Sequence, residues 1–189
     1  GRDAERFSEA LVWFPVVGAL LGGMLWLLGG LWDRLAGTDG AAGGAVMLVW
    51  AEIVLTRALH LDGLADWADA LGGGRDPVTR LRIMKDPHLG SFAVVALVAV
   101  LLGKWVAWAR LFSAGGLVFA LPVLVGSRAV MAHLMGRLPA ARAGDGMAGP
   151  FLRDRAPAQG WLTHGLTLCL CLPFGPAGIG LYLVGLGIA

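Results

Sequence analysis

Long apolar runs separated by short polar segments make up most of the chain, and they predict helices that cross a membrane. The first run, residues 11–32, contains no charged residue and is long enough to span a bilayer. Three similar runs follow at residues 41–59, 91–109 and 111–135, each with at most two charged side chains. We therefore expect four spans in this part of the chain.

The last apolar run, residues 161–189, carries a turn signal at its centre. Residues 173–178 read Pro-Phe-Gly-Pro-Ala-Gly, and such a cluster of proline and glycine favours a tight turn. We predict a fifth span, a turn, and a sixth span that is incomplete. The expected fold class is thus all-α, a polytopic integral membrane helical bundle of about six spans. Residues 1–189 are expected to form a single transmembrane domain, truncated at both ends.

Composition supports a membrane protein and argues against other classes. Hydrophobic residues make up 57% and charged residues 15%, whereas a soluble domain carries about 25% charged residues. A net charge of +2, without a basic stripe and interleaved aromatic residues, predicts no nucleic-acid partner. Gly18 with Gly22 and Gly40 with Gly44 are spaced for close helix packing. A homo-oligomer is compatible with this pattern.

Basic residues concentrate in three polar stretches, and this predicts the orientation of the bundle. Residues 1–10, 60–90 and 136–160 hold two, four and four of the fifteen Lys and Arg residues. The positive-inside rule places these stretches on the cytoplasmic face of the cell inner membrane. In the second stretch, Gly72-Gly73-Gly74 predicts a helix end. Asp76-Pro77 then predicts the start of an interfacial helix that stops at Asp86-Pro87.

Three aspartates in the second polar stretch form the main candidate for chemistry. Asp62, Asp66 and Asp69 are four and then three residues apart, so on a helix they fall within an arc of roughly 60°. Such close carboxylates repel one another unless a cation compensates them, and oxygen ligands suit Mg²⁺. The alternative is a solvated acidic face on a surface helix, but charge beside membrane spans favours a function.

Basic side chains near these aspartates suggest that the ligand carries phosphate. Aspartates hold divalent ions, the ions contact phosphate oxygens, and cationic side chains neutralise the remaining charge. The cationic candidates are Arg82, Lys85, Arg128 and Arg142. For each of them an interfacial anchoring role is the alternative. The four histidines are scattered, and the sequence contains no catalytic triad order, phosphate-binding loop or zinc spacing.

Several motifs together resemble the cobalamin-5′-phosphate synthases, also called adenosylcobinamide-GDP ribazoletransferases. They are HLDGLADWADALGGG at residues 60–74, the pattern R-x-R-I-M-K-D-P-x-L-G at 80–90, WFPVVGALLGG at 13–23, GSRA at 126–129, and the loop 141–151. The resemblance covers nearly the whole chain. It implies an integral membrane, Mg²⁺-dependent transferase of late cobalamin biosynthesis. Such an enzyme joins adenosylcobinamide-GDP to α-ribazole or its 5′-phosphate and releases GMP.

The resemblance also implies roles for individual residues, so that the transmembrane domain would be catalytic. The implied catalytic residues are Asp62, Asp66, Asp69 and Lys85. The implied metal ligands are Asp62, Asp66 and Asp69. Lys85 and Asp86 match a lysine-aspartate pair of the family, and we expect Lys85 to contact phosphate and Asp86 to join the metal ligands. Substrate phosphate is expected to contact Arg82, Arg128 and Arg142. Members of the family carry a C-terminal G-G-x-T-G-D motif that this sequence does not contain, and no general base is assigned.

Two other functions remain open from the sequence. The first is a transporter or channel in which Glu52, Arg57, Lys104 and Arg128 line a path through the membrane. The second is a phosphotransferase that acts on a lipid or a CDP-alcohol. The D-x-x-D-G-x-x-A-R pattern of that family is not matched, because the aspartates here are spaced differently.

Overall fold

A computed structural model describes residues 9–37, 40–139, 141 and 157–189. Within these ranges all regular structure is helical, which confirms the predicted fold class. Short 3₁₀ turns lie at Ala10–Trp13, Leu117–Phe119 and Leu172–Phe174. The α-helices are α1 (Phe14–Ala36), α2 (Ala41–Leu55), α3 (Leu59–Gly73), α4 (Pro77–Ile83), α5 (Ser91–Ser113), α6 (Ala120–Arg137), α7 (Pro157–Cys171) and α8 (Gly175–Ile188).

The number of membrane spans is smaller than predicted. In the described part of the chain, 4 helical segments are long and apolar enough to cross a membrane, or 5 if α2 and α3 count as one bent span. The four segments are Ala10–Ala36, Ser91–Ser113, Leu117–Arg137 and Ala158–Ile188. The predicted polytopic bundle is confirmed, with 4 or 5 such segments where about six spans were expected, the last incomplete. The second predicted span breaks near its end. The segment Ala158–Ile188 is counted by its total length, although it turns back at its centre.

The C-terminal segment turns back on itself where the sequence predicted a turn. Gly175 has a φ of +62°, which suits glycine. A Cβ at Gly178 would lie 2.7 Å from the carbonyl oxygen of Cys171. His164 and Tyr182 are hydrogen-bonded across the turn. Since α7 and α8 have 15 and 14 residues, each is only about 21–23 Å long, less than the hydrocarbon core of about 30 Å.

The chain forms two compact units, and the first consists of Gly1–Leu27 and Val118–Ala189. Here the start of α1 packs closely on α6, as the glycine spacing predicted. A Cβ at Gly18 would lie 2.4 Å from the carbonyl oxygen of Leu124, so only glycine allows this approach. The buried core of this unit includes Val125, Ala129, Cys171 and Tyr182. The single-domain organisation of residues 1–189 stays a prediction.

The second unit, Leu28–Leu117, contains the end of α1 and helices α2 to α5. Trp32 Nε1 donates a hydrogen bond of 2.8 Å to the carbonyl oxygen of Gly40. A Cβ at Gly44 would lie 2.6 Å from Phe112 Cζ, again as the glycine spacing predicted. Helices α2 and α5 are joined by an ion pair between Glu52 and Lys104. The packing of α2 and α5 thus provides the framework on which α3 lies.

A sharp break between α2 and α3 fixes the direction of the aspartate helix. The two helix axes differ by 88°. At the break, Arg57 and Ala58 have φ values of +51° and +57°, although neither residue is glycine. The N–H of Arg57 donates to the Val54 carbonyl, and the N–H of Ala58 donates to the Ile53 carbonyl. This pair of bonds is the Schellman pattern that ends a helix, and α3 begins at the next residue.

Candidate active site

Helix α3 carries all three predicted aspartates on one continuous helix. Asp62 is exposed, whereas Asp66 and Asp69 are partly buried. Residues four apart on a helix are neighbours on its surface, so Asp62 and Asp66 lie one turn apart on the same face. Gly73 is the last residue of α3, as the glycine triplet predicted. The predicted shared face is therefore present in the structure.

Asp69 holds the start of α5. Its Oδ2 accepts a hydrogen bond of 2.7 Å from the N–H of Gly90, and its Oδ1 accepts one of 2.8 Å from the N–H of Ala93. The first N–H groups of a helix have no partner within the helix, and a negative charge is favourable at this end. Asp69 therefore acts as a helix cap from another helix. This role was not foreseen from the sequence.

Asp62 and Asp66 form a candidate pair for a cation. In the described ranges no three His, Cys, Asp or Glu side chains converge on a common metal position. The predicted set of four ligands is thus not assembled there. Mg²⁺ is commonly bound through one or two carboxylates together with water and substrate phosphate. Two carboxylates one helical turn apart suit such a site, so the chemistry of these donors fits Mg²⁺.

Helix α4 begins where Asp76-Pro77 predicted it. The Asp76 carboxylate accepts a hydrogen bond of 3.0 Å from the N–H of Thr79 and one of 2.6 Å from its hydroxyl. These bonds, the hydroxyl first, hold the pKa of Asp76 below its ordinary value. Arg80 Nε donates to the Gly74 carbonyl at 2.9 Å and ties α4 to the end of α3. The helix ends at Ile83, before the predicted stop at Asp86-Pro87.

The segment between α4 and α5 presents Lys85 and Asp86. Both side chains are exposed. Asp86 Oδ1 accepts a hydrogen bond of 3.0 Å from the N–H of His88 and lies 2.6 Å from His88 Nδ1. The backbone bond and then the ring hold the pKa of Asp86 below its ordinary value. Arg82 is exposed on the last turn of α4, in the same unit as the aspartates.

The other two predicted arginines lie elsewhere in the chain. Arg128 is on α6 in the first unit, is only 9% exposed, and donates from Nη1 to the Ser127 hydroxyl at 3.2 Å. Arg142 falls outside the described residues. Substrate contacts by Arg82, Arg128 and Arg142 therefore stay predictions.

The ion pair between Glu52 and Lys104 bears on the transport alternative. These two residues were half of the charged set proposed to line a path. Their side chains are 16% and 36% exposed, respectively, and each neutralises the other between α2 and α5. Charged residues within membrane segments commonly pair in this way. Both therefore have a structural role that requires no transported ion.

The sequence matches a known protein family over almost its entire length. A family model described as cobalamin-5-phosphate synthase matches residues 2–189. The chain belongs to the cobalamin-5-phosphate synthase family. The residues that carried the resemblance include the aspartate helix α3 and the Lys85-Asp86 segment. The geometry described above is therefore that of a family member.

Several curated relatives of this family member are named adenosylcobinamide-GDP ribazoletransferase. The protein of Chlorobaculum tepidum is 45% identical over 168 residues, which cover 85% of this chain and 61% of the relative. That of Chlorobaculum parvum is 43% identical over 166 residues, with 85% and 61% covered. That of Pseudomonas entomophila is 40% identical over 189 residues, with 97% and 74% covered. No solved structure is significantly similar to the chain.

The chain thus spans about three fifths of the length of the two Chlorobaculum relatives, or 61% of each.

The first unit of this family member contains a polar cluster that sequence reasoning missed. His133 Nδ1 lies 3.1 Å from His164 Nε2, and the other ring nitrogen of His164 is hydrogen-bonded to the Tyr182 hydroxyl. These residues are distant in sequence, so no local motif joins them. One signal was present: Tyr182 is the single tyrosine of the chain, and it lies in an apolar run where its hydroxyl needs a partner.

Proposed function

We propose that this chain transfers adenosylcobinamide phosphate from adenosylcobinamide-GDP to α-ribazole or its 5′-phosphate and releases GMP. The observation that carries the proposal is the family match over residues 2–189. The name of the curated relatives supports the substrate and the transferred group. The aspartate helix and the basic segment beside it supply groups suited to a pyrophosphate.

We assign Mg²⁺ binding to Asp62 and Asp66 in this proposal. They are one turn apart on α3 and present oxygen ligands. Bound there, Mg²⁺ would neutralise charge on the phosphate oxygens of the donor. Asp69 keeps α3 and the start of α5 together, because its two oxygens accept the backbone N–H groups of Gly90 and Ala93. A metal-ligand role for Asp69 and Asp86 stays a prediction.

The cationic side chains would bind the phosphates of the two substrates. Lys85 and Arg82 are exposed and belong to the same unit as the aspartates. A lysine acts as a point charge on phosphate, whereas an arginine can donate two parallel hydrogen bonds. Lys85 would neutralise the pyrophosphate, and Arg82 would orient it. Arg128 and Arg142 remain further candidates for substrate binding.

We also propose that the active site faces the cytoplasm from the inner membrane. The basic residues of the polar stretches support this orientation through the positive-inside rule. The stretch 60–90 contains the three aspartates and Arg82, and the stretch 136–160 contains Arg142. The nucleotide donor and the released GMP are water-soluble molecules. An active site at this surface can exchange both of them with the cytosol.

Release of GMP by the full-length protein tests the proposal. Adenosylcobinamide-GDP and α-ribazole, or its 5′-phosphate, are supplied with and without Mg²⁺, and a CDP-alcohol is tested as an alternative donor. We expect Mg²⁺-dependent GMP release that Asp66→Asn abolishes without loss of membrane insertion. Asp33→Asn, an exposed aspartate at the end of α1, is the control and should keep full activity. Full activity of Asp66→Asn, or turnover of the CDP-alcohol alone, would contradict the proposal.

A further inference from the structure

A pocket of about 430 Å³ lies in the first unit, where α6 ends and α7 begins. Pockets that bind small molecules are typically about 300–1,000 Å³, so this one is large enough for a ligand of nucleoside size. Its walls include Leu11, His133, Arg137, Gln159, Trp161 and His164. None of these residues was assigned a role in the proposed reaction.

The charge of the pocket favours an anionic ligand. The described residues that line it include the guanidinium of Arg137 and no carboxylate. Arg137 is exposed in the last turn of α6, so its side chain is accessible from water. Arginine is well suited to phosphate because its planar group donates parallel hydrogen bonds. A phosphate group is therefore the anion that the pocket fits best.

A chain of hydrogen bonds sets the protonation of the histidine in the pocket wall. Tyr182 is 2% exposed, and its hydroxyl is hydrogen-bonded to one partner in the described part of the chain, His164 Nδ1. A buried hydroxyl keeps its proton hydrogen-bonded, so Tyr182 donates to Nδ1. The proton of a neutral His164 is then on Nε2, which donates to His133 Nδ1.

His133 is therefore left with its proton on Nε2. A neutral imidazole carries one donor and one acceptor, and its Nδ1 is the acceptor for His164. The remaining ring nitrogen of this wall residue is a hydrogen-bond donor, which again suits an anion. Trp161 adds an aromatic surface that is 78% exposed at the pocket, where a planar ring can stack.

We propose that this pocket binds a 5′-phosphorylated benzimidazole nucleoside, with its phosphate at Arg137 and His133 and its ring at Trp161. The nucleoside class rests on the proposed function. The phosphate and the planar ring rest on the pocket alone. The pocket would thus hold the acceptor in its phosphorylated form, and Tyr182 would be a positioning residue that acts through His164.

Ligand binding to the full-length protein in nanodiscs tests the proposal without turnover, since no adenosylcobinamide-GDP is added. The probes are α-ribazole 5′-phosphate and unphosphorylated α-ribazole. We expect Arg137→Gln to weaken binding of the phosphorylated probe about tenfold or more, because a charge-assisted contact is lost. Binding of the unphosphorylated probe should change less than about twofold, since that probe has no group for Arg137. Equal affinity of wild type and Arg137→Gln for the phosphorylated probe would overturn the proposal.

Arg110→Gln is the matched control. Arg110 is also an exposed arginine in the last turn of a long helix, but it belongs to the second unit. Its replacement should leave both affinities unchanged. If Arg110→Gln lost as much affinity for the phosphorylated probe as Arg137→Gln, general surface charge and not the pocket would attract the ligand. This result would also overturn the proposal.

Tyr182→Phe tests the hydrogen-bond chain while it keeps the buried ring. We expect the nitrogen-15 resonances of His133 and His164 to show a changed tautomer, together with a several-fold loss of affinity for α-ribazole 5′-phosphate. A variant that merely loosened the core would not exchange the protonated nitrogen of both rings. Unchanged tautomers and unchanged affinity would overturn the role of Tyr182.

The phosphate of a lipid headgroup could bind Arg137 in the same way as the phosphate of the nucleoside. Nanodiscs of two lipid compositions distinguish these two ligands. The nanodiscs contain either phosphatidylglycerol or phosphatidylcholine. The proposal is overturned if Arg137→Gln weakens only the binding of phosphatidylglycerol to the protein and if α-ribazole 5′-phosphate does not displace that lipid. GMP release with no dependence of acceptor binding on Arg137 would overturn this inference and leave the proposed function standing. Arg137-dependent binding of the phosphorylated probe without GMP release would support the pocket and contradict the proposed function.

Discussion

Asp69 and Gly90 lie 21 residues apart and are joined by a hydrogen bond of 2.7 Å from the Gly90 N–H to the Asp69 carboxylate. The contact leaves no room for a side chain at position 90, because a Cβ there would lie 2.5 Å from Asp69 Oδ1. One carboxylate thus fixes where α5 begins relative to α3. The family motif that includes this glycine is therefore partly a structural motif.

Replacing Asp69 should destabilise the protein. Asp69→Ala removes both hydrogen bonds to the start of α5, and we expect a loss of about 2 kcal/mol in the free energy of unfolding. Denaturant unfolding in detergent measures this loss. Asp62→Ala, an exposed position on the same helix, should cost less than about 1 kcal/mol. Equal losses in the two variants would show that the cap contributes little.

Glycine at position 58 should stabilise the protein. Ala58 has a φ of +57°, a left-handed conformation that costs an alanine about 1–2 kcal/mol and glycine very little. We expect Ala58→Gly to raise the free energy of unfolding by about 0.5–1 kcal/mol. Ala99→Gly, an exposed position within α5, should instead lower it by about 1 kcal/mol. Destabilisation of both variants to the same extent would contradict the strain at Ala58.

Replacing one partner of the ion pair between Glu52 and Lys104 should destabilise the protein more than replacing both partners. Glu52→Leu leaves the lysine without its partner between α2 and α5, and we expect a loss of about 1–3 kcal/mol, since both groups keep some exposure. Replacing both residues with leucine should recover most of that stability. Thermal unfolding of the two single variants and the double variant measures the coupling. A double variant as unstable as the worse single variant would contradict the cost assigned to the unpaired charge.

The carboxylate of Asp76 should remain ionised at unusually low pH. Hydrogen bonds from Thr79 hold its pKa below the ordinary value of 3.8. Because the folded pKa is the lower one, the stabilisation is present above the unfolded value and is lost as pH falls through the folded value. Thr79→Val removes the hydroxyl bond and keeps the backbone bond, so the pKa of Asp76 should rise towards 3.8. A carbon-13 titration of the carboxyl group follows this change, and an unmoved pKa would contradict the assigned cause.

Sequence patterns predicted the helices well where one apolar run forms one helix. The runs at residues 11–32 and 91–109 correspond to α1 and α5, and Asp76-Pro77 marks the start of α4. The break at Arg57 and Ala58 could not be predicted, because neither residue favours a left-handed conformation. The surrounding structure imposes it, which local propensity does not reveal.

The sequence predicted which residues form the candidate site, but it did not predict the contacts that they make. Three aspartates on one helix face follow from helical spacing alone. That Asp69 binds the backbone of α5 depends on a partner 21 residues away. The chain of His133, His164 and Tyr182 likewise depends on how α6, α7 and α8 pack. Contacts of this kind arise from tertiary structure, and a single sequence does not show them.

The 88° bend before α3 also sets the direction of the aspartate helix relative to α2. Asp62 and Asp69 are separated by about 10 Å along the helix axis. Had α3 continued in the direction of a membrane-crossing α2, this distance would extend from the hydrated headgroups into the acyl chains, where ionised carboxylates are costly. With α3 turned across that direction, the three carboxylates would lie at a similar depth in a membrane that α2 crosses. Carboxylates at a similar depth can be hydrated together.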